Sequence, residues 1–435
     1  RQQSVMTVAL IGFLGLFALA FVGVPLGFAM LLAGIGGFAW IRGPDAALSM
    51  LAQIVVDASA NYGMSVLPMF ILMGIFVHKA DISGELYDAA NAWLGHFKGG
   101  LAHATVASCA LFAAISGSSI ATAATMSRVA IPPMRRLGYH DRLSTGSVAS
   151  AGVLGVLIPP SVPLVLFGLL TETDIRKLFI ATIIPGILLT LFFIAAVWVT
   201  VALNPSLGPP GERRSFRDKM IALKGVWSVI ALFAFVMGGL YGGVFTATES
   251  AGIGAMGAFL FTLARRKMSW RVLGDCLMET GKTTAMIFAI VFGALAFANF
   301  IALTGMTMQL VQWIQAQDFT VTGVLLAMCV IYLVLGCLME AMGLMLLTVP
   351  IFTAVAVEMG VNPIWFGIFV TVMIEIGMLT PPVGMNVFTV KTLTPDVSLA
   401  TIFRGVMPFL VANLALVGCL IAWPQLALMP LRWFS

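Results

Sequence analysis

GVLGVLIPPSVPLVLF at residues 152–167 and IEIGMLTPPVGMNVF at residues 374–388 decide how this chain folds. Each is an apolar run long enough to be buried, interrupted at its centre by a Pro-Pro pair. In the first, Pro159, Pro160 and Pro163 remove three backbone donors within five residues, which no straight helix tolerates. The helix must break there and leave carbonyls unpaired. The two strings are also related: Gly138, Gly155, Pro159 and Pro160 recur as Gly360, Gly377, Pro381 and Pro382, each 222 positions later. A shared break inside a shared pattern is the mark of an internal repeat.

Composition fixes the solvent. Of 435 residues, 60% are hydrophobic and 9% charged, whereas a soluble domain carries roughly a quarter charged residues. Apolar runs able to cross about 30 Å of hydrocarbon recur from end to end. The net charge of +5 comes from basic residues gathered in short loops, the pattern of cytoplasmic loops in a membrane protein rather than of nucleic-acid binding. Cys109, Cys276, Cys329, Cys337 and Cys419 are scattered in apolar surroundings without paired spacing and read as packing residues.

The basic loops orient the chain. The stretch NPSLGPPGERRSFRDK (204–219) joins two hydrophobic halves, and Arg265-Arg266-Lys267 follows after two apolar runs, Trp227–Tyr241 and Ala251–Ala264. Two spans return the chain to the side it left, so both loops face the cytoplasm. Met6 to Trp40 reads as two spans hinged near Gly23-Val24-Pro25 rather than a signal peptide. Counting outward gives a periplasmic N-terminus, a re-entrant hairpin over Leu101–Arg136, a broken span over Leu143–Leu170 and a span over Phe179–Leu203. The second half gives a span near Thr283–Leu303, a short helix near Met308–Ala316, a second hairpin over Thr320–Met359 lacking Lys and Arg, a broken span over Ile364–Lys391 and a last span over Val406–Ala422. The expected fold is an all-α polytopic membrane protein with inverted repeats, two re-entrant helical hairpins and two broken transmembrane helices. Its expected parts are scaffold spans and an arm helix (1–100), first hairpin and broken helix (101–170), scaffold with central loops (171–319), second hairpin and broken helix (320–393) and a C-terminal span (394–435). Inverted repeats with broken helices at the midplane point to a secondary carrier.

ISGSSIATAATM (115–126) places a glycine among three serines inside an apolar segment. Small residues there serve either close helix packing or a hairpin tip whose irregular backbone is satisfied by protein. The matching second repeat favours the tip, with Gly117 turning the chain and Ser116, Ser118 and Ser119 capping half-helices. Helix N-termini at such a tip favour an anion and C-terminal carbonyls a cation. The Pro-Pro breaks serve either as kinks or as paired ion sites, the second supplied with oxygens by Thr380 and Asn386. The second tip is expected at Ala341-Met342-Gly343-Leu344-Met345, which makes the offset slip by four between landmarks and leaves any cation there to backbone carbonyls. Among ionisable residues at depth, Glu340 and Glu375 serve either a cation or proton or a structural pairing. Glu249, at a turn between spans, serves either a functional site or a structural hydrogen bond, and His103, near a helix start, reads as a packing residue. The serine-rich tip has no paired base, no GxxxxGK[ST] is present and His and Cys lack metal-ligand spacing, so the expectation is no enzyme, no ATP-driven pump and no resident cofactor.

The chain resembles the large membrane subunit, the DctM/SiaM-type M component, of TRAP transporters. The resemblance rests on GFLGLFALAFVGVPLGFAM (12–30), ISGSSIATAATM, GYHDRLSTGSVASAGVLGVLIPPSVPLVLFG (138–168), FTATESAG (245–252) and EIGMLTPPVGMNVF (375–388), in that order along nearly the whole length. It implies sodium-driven import of a small carboxylate across the bacterial inner membrane, with an elevator-type movement. The implied partners are a separate small four-helix membrane subunit and a periplasmic substrate-binding protein. Carried onto this sequence, one sodium site involves Ser116, Gly117 and Ser118 with Gly155 and Pro159. The other involves Gly343, Gly377, Thr380 and Pro381, and substrate lies near Ser119, Thr122, Pro160 and Asn386. A stand-alone sodium-coupled dicarboxylate or citrate carrier is the rival within transport; a channel or membrane enzyme is the rival outside it.

Overall fold

With no water at membrane depth to receive their peptide groups, apolar runs of this length fold as helices, which satisfy the backbone internally. The computed structural model describes the backbone of residues 2–434 and the side chains of residues 7–434. Among the described residues the regular structure is entirely helical, and eight helical segments are long and apolar enough to cross a membrane.

The first half runs α1 (Gln2–Phe21), α2 (Leu26–Arg42), α3 (Pro44–Ala60), α4 (Val66–Lys79), α5 (Ile82–Leu94), α6 (Gly100–Ser116), α7 (Ser119–Arg136), α8 (Asp141–Ala151), α9 (Leu154–Leu157), α10 (Val162–Leu170), α11 (Ile175–Ala181) and α12 (Ile183–Leu203). The second runs α13 (Phe216–Tyr241), α14 (Ala247–Ala264), α15 (Trp270–Thr304), α16 (Met306–Ala316), α17 (Val321–Gly336), α18 (Ala341–Glu358), α19 (Pro363–Gly377), α20 (Met385–Leu393) and α21 (Leu399–Ala422). The α1–α2 hinge falls at Gly23-Val24-Pro25, with Gly23 at φ 95°. The pairs α6–α7 and α17–α18 are helical hairpins. The helices α8–α9 and α10 are separated at Ile158–Ser161, and α19 and α20 at Met378–Gly384.

The two halves are in register. Helices α7 and α18 start at residues 119 and 341, and α8 and α19 at 141 and 363, each pair 222 apart. Gly138 and Gly360 both take positive φ, 77° and 80°, and Pro159-Pro160 and Pro381-Pro382 are both cis. One expectation is corrected here. The second tip is the turn Cys337–Glu340, not 341–345, and Gly343 lies in the first turn of α18. Glu340 is its N-cap, 222 positions after Ser118, the N-cap of α7. The slip of four came from matching Gly117 to a glycine. The second turn needs none, because Cys337 stays right-handed at φ −73° and Glu340 caps instead.

The halves interlock. Helix α2 packs on α15 and α14 packs on α4, so each pairs with a long element of the other half. These contacts use small residues to bring backbones close: a Cβ at Gly34 would lie 2.6 Å from the Phe297 nitrogen, and one at Gly254 2.6 Å from Met73 Sδ. Arg265 clamps this outer layer, its guanidinium forking onto Glu85 at 2.8 and 2.7 Å and reaching the Gly225 carbonyl at 2.9 Å. The inner layer is exchanged in the same way: α10 packs on α18, while α20 packs on α7 and α8. Helix α21 crosses α8 at Gly146 and Gly405, where each backbone occupies the space of the other's missing side chain. At the end of the first hairpin, Arg135 binds Asp141 at 2.7 Å and Asp396 at 2.6 Å, tying α7 and α8 to the loop after α20.

Gly405→Val is expected to push α21 off α8 and lower the melting temperature in detergent, at a cost of at least about 1–3 kcal/mol. Gly418→Val, on the same helix with nothing within 4 Å, should leave the melt unchanged. The Arg135 contact holds the Asp396 carboxyl below the usual carboxylate range. Its folded value is depressed, so its contribution is present above the unfolded value and lost as pH falls through the folded one. Asp396→Asn should flatten the acid limb of a melting-temperature profile against pH and leave the alkaline limb alone.

Candidate ion and substrate site

The first hairpin turns on a single left-handed residue. Helix α6 ends at Ser116, Gly117 takes φ 59° and Ser118 is extended, its Oγ accepting the Ala121 N–H at 3.4 Å to cap α7. Side chains close the tip: Ser116 Oγ and Thr122 Oγ1 lie 2.6 Å apart, and Thr122 Oγ1 donates to the Ser118 carbonyl at 2.8 Å.

The broken helix packs directly onto this turn. A Cβ at Gly155 would lie 2.6 Å from Thr122 Oγ1 and 2.7 Å from the Ser118 carbonyl oxygen; one at Gly117 would lie 3.0 Å from the Pro160 oxygen. Glycine at 155 is therefore required by a close approach, and the Pro160 carbonyl, outside any helix, sits on the same seam as the Ser118 carbonyl, which accepts the Thr122 N–H at 3.1 Å. Ser161 then caps α10, its Oγ accepting the Leu164 N–H at 3.4 Å. The C-terminal ends of α6 and α9 and the N-terminal ends of α7 and α10 thus meet at one place, with the partial charges such ends carry.

The second seam has the same plan with different residues. Gly336, the last residue of α17, lies backbone to backbone with Gly377, the last of α19; a Cβ at Gly336 would be 2.8 Å from the Gly377 Cα. Gly343 does not reach this seam: it faces the Leu26 side chain of α2. Glu340 Oε1 accepts the Gly343 N–H at 3.2 Å. Thr380 Oγ1 donates to the Ile376 carbonyl at 2.7 Å. The two breaks differ in exposure: Pro159 and Pro160 are buried, whereas Pro381 and Pro382 are exposed.

Between the seams lies a buried polar cluster drawn from both halves. Ser119 Oγ donates to Glu375 Oε1 at 3.3 Å, and Met378 Sδ lies 3.7 Å from the same hydroxyl. Asn386 is fully buried, with Nδ2 donating to the Ala149 carbonyl at 3.5 Å and Oδ1 without a hydrogen-bond partner. Glu375 is 1% exposed and its Oε2 also has no partner. Of the residues expected near substrate, Ser119, Thr122 and Asn386 are enclosed by protein. The Ser119–Glu375 contact spans 256 positions and was not legible in the sequence, although both residues lie in the motifs. Of the two readings of Glu249 the structure shows the structural one: with Thr246 it forms a reciprocal capping box at the start of α14. The five cysteines are free.

Residues 13–426 match the DctM component of the tripartite ATP-independent periplasmic transporters. The chain belongs to this family. A C4-dicarboxylate TRAP transporter large permease protein, DctM, of Pseudomonas aeruginosa is 35% identical over 90% of this chain and 91% of its own length. The sialic acid TRAP transporter large permease SiaM of Vibrio cholerae is 29% identical over 97% of each. An isethionate TRAP permease of Oleidesulfovibrio alaskensis, DctMQ, is 32% identical over 93% of this chain, which spans 63% of that longer protein. Among solved structures, the YdaH transporter of Alcanivorax borkumensis superposes with a TM-score of 0.54 at 14% identity, over 88% of this chain and 90% of its own. MtrF of Neisseria gonorrhoeae superposes with a TM-score of 0.59 at 13% identity, over 88% and 85%; these two are likenesses of fold. As a DctM-family chain, this protein is a large permease of a TRAP transporter, a multi-pass protein of the bacterial inner membrane and not an enzyme.

Gly155→Val is expected to displace the Ser118–Thr122 tip by its first side-chain carbon alone. Uptake of the cognate substrate into proteoliposomes should fall at least about fivefold, because overpacking at a closed contact costs about 1–3 kcal/mol. A helical content unchanged by circular dichroism would place the loss at the seam.

Proposed function

We propose that this chain is the translocating subunit of a sodium-coupled, binding-protein-dependent carrier that imports a small organic acid by an elevator movement. The observation that carries the reading is the repeated seam: a hairpin tip laid on a broken helix through a glycine contact, once at Gly155 and once at Gly377, 222 positions apart. Broken helices that present carbonyls and helix ends to a common site are how secondary carriers hold an ion and an anionic substrate together.

In this reading the first sodium site is built from Ser116, Gly117 and Ser118 against Gly155 and Pro159, its ligands drawn from the serine hydroxyls of the tip and the carbonyls of the break. The second uses Gly377, Thr380 and Pro381; Gly343, turned toward α2, contributes through the capped first turn of α18 rather than as a ligand. Neutral oxygens of this kind suit a hard, weakly held cation. Substrate carboxylate is received between the seams by Ser119, Thr122, Pro160 and Asn386, near the N-termini of α7 and α20, where helix dipoles favour an anion. The enclosure of these residues, with the second break exposed and the first buried, fits a carrier whose site opens to one side at a time. The unit of residues 101–170 and 320–393 moves against a scaffold of 1–100 and 171–319, with the span in 394–435 beside it. The two hairpins enter from opposite faces and the N-terminus is periplasmic, which the shared side of the basic loops supports.

The partners are a periplasmic binding protein and a small four-helix membrane subunit, a division that the tripartite family description and the longer DctMQ relative favour. The relatives named for C4-dicarboxylate and sialic acid support a small carboxylate as the substrate. Proteoliposomes holding this chain and the small subunit, given an inward sodium gradient, should take up substrate only when the binding protein is added. Uptake by the chain alone would instead identify a stand-alone dicarboxylate or citrate carrier, and a sodium-independent current would identify a channel.

An oxygen given to a charged partner is worth about 1.5–3 kcal/mol. Ser118→Ala and Thr380→Ala should therefore each raise the sodium concentration for half-maximal uptake at least about tenfold. Sodium dependence unchanged in both variants would remove these assignments.

A further inference from the structure

Two cavities meet along α12. One, of about 560 Å³, lies between α6, α12 and α13 and is walled by apolar side chains including Leu111, Ile187 and Phe233. The other, of about 580 Å³, lies below it and is lined by Leu94, Phe97, Lys98, His103, Ile194 and Trp198, among others. Leu191 lines both, so together they form one groove down the outward face of α12. From Trp198 to Ile187 it runs about 16 Å at helical rise, about half the hydrocarbon thickness and so the reach of one leaflet's acyl chain.

The two ends of this groove differ chemically. The upper part is apolar. The lower end carries Lys98, exposed and in no ion pair among the described residues, and Trp198, 66% exposed, the kind of side chain that sits at a membrane–water boundary. His103 lines this end at 6% exposure, with Nδ1 lacking any hydrogen-bond partner. The lower end also lies beside the basic loop: the Gly99 N–H donates to the Gly208 carbonyl and the Gly211 N–H to the Gly95 carbonyl, both at 2.9 Å, with Arg213 and Arg214 just beyond.

We propose that this groove is a binding site for an anionic phospholipid of the leaflet facing the basic loops. Lys98 holds its phosphate region, His103 walls this end of the groove, Trp198 marks the boundary, and one acyl chain lies along α12 against α6. A chain there fills the space between the first hairpin and α13 with matter of the same polarity, which neither water nor a soluble ligand can do. An anionic headgroup meets the charge of Lys98 and of the loop, where a neutral zwitterion meets only half of it.

The test uses the large subunit together with its small subunit in phosphatidylethanolamine nanodiscs doped with phosphatidylglycerol that carries a photoreactive diazirine on one chain. Irradiation should label peptides containing Ile187–Trp198 and Phe233. In Lys98→Ala that labelling should fall about fivefold, the worth of one basic residue near an anionic surface, while Lys98→Arg retains it. A phosphatidylcholine probe should label the same peptides weakly and equally in all three proteins. Equal labelling by both probes in the unaltered protein, or no change in Lys98→Ala, would overturn the proposal. So would labelling seen only when the small subunit is omitted, because the groove would then belong to that subunit. The readout is lipid labelling, not uptake, so its failure leaves the carrier reading untouched.

Discussion

Peptide groups that lose their helical partners inside a membrane must find others within the protein, and this constraint organises the molecule. Two Pro-Pro breaks and two hairpin turns expose such groups at depth. The fold answers by placing each turn on a break, so that the most polar backbone of one segment meets that of the other. Gly155 and Gly377 permit the approach, since any side chain at either position would enter the space of the facing backbone. The Ser116, Ser118 and Thr122 side chains complete the first turn, and Glu340 caps the second. The arrangement stabilises the fold, and in the proposed reading the same oxygen atoms receive the cation. Structural need and transport chemistry therefore converge on the same few residues.

The exchange between halves makes the two seams one object. Helix α10 rests on α18 and α20 rests on α7 and α8, while Ser119 reaches Glu375 across the centre. Each seam closes within its own half, and the exchanged helices set the two seams side by side around the Ser119–Glu375 contact. The outer layer is built on a different principle, small residues bringing α2 to α15 and α14 to α4. It presents long apolar faces to lipid and a few clamps, such as Arg265 on Glu85, near the water.

The sequence determined the solvent, the helical class, the repeat and the positions of both breaks, because each follows from local chemistry: apolar length, missing proline donors and glycine where the chain must turn. Its motifs also named most of the residues at the seams. The tertiary structure decided what those residues touch. It moved the second tip to Cys337–Glu340, since a turn capped by a carboxylate needs no glycine to announce it. It turned Gly343 toward α2 and set Gly336 against Gly377. It joined Ser119 to Glu375 and Arg135 to Asp396, pairs separated by more than 250 positions, for which no local pattern exists. Spacing along a chain reports what one segment must do with its own backbone, but the partner that satisfies a freed carbonyl or a buried carboxylate is chosen by packing in three dimensions.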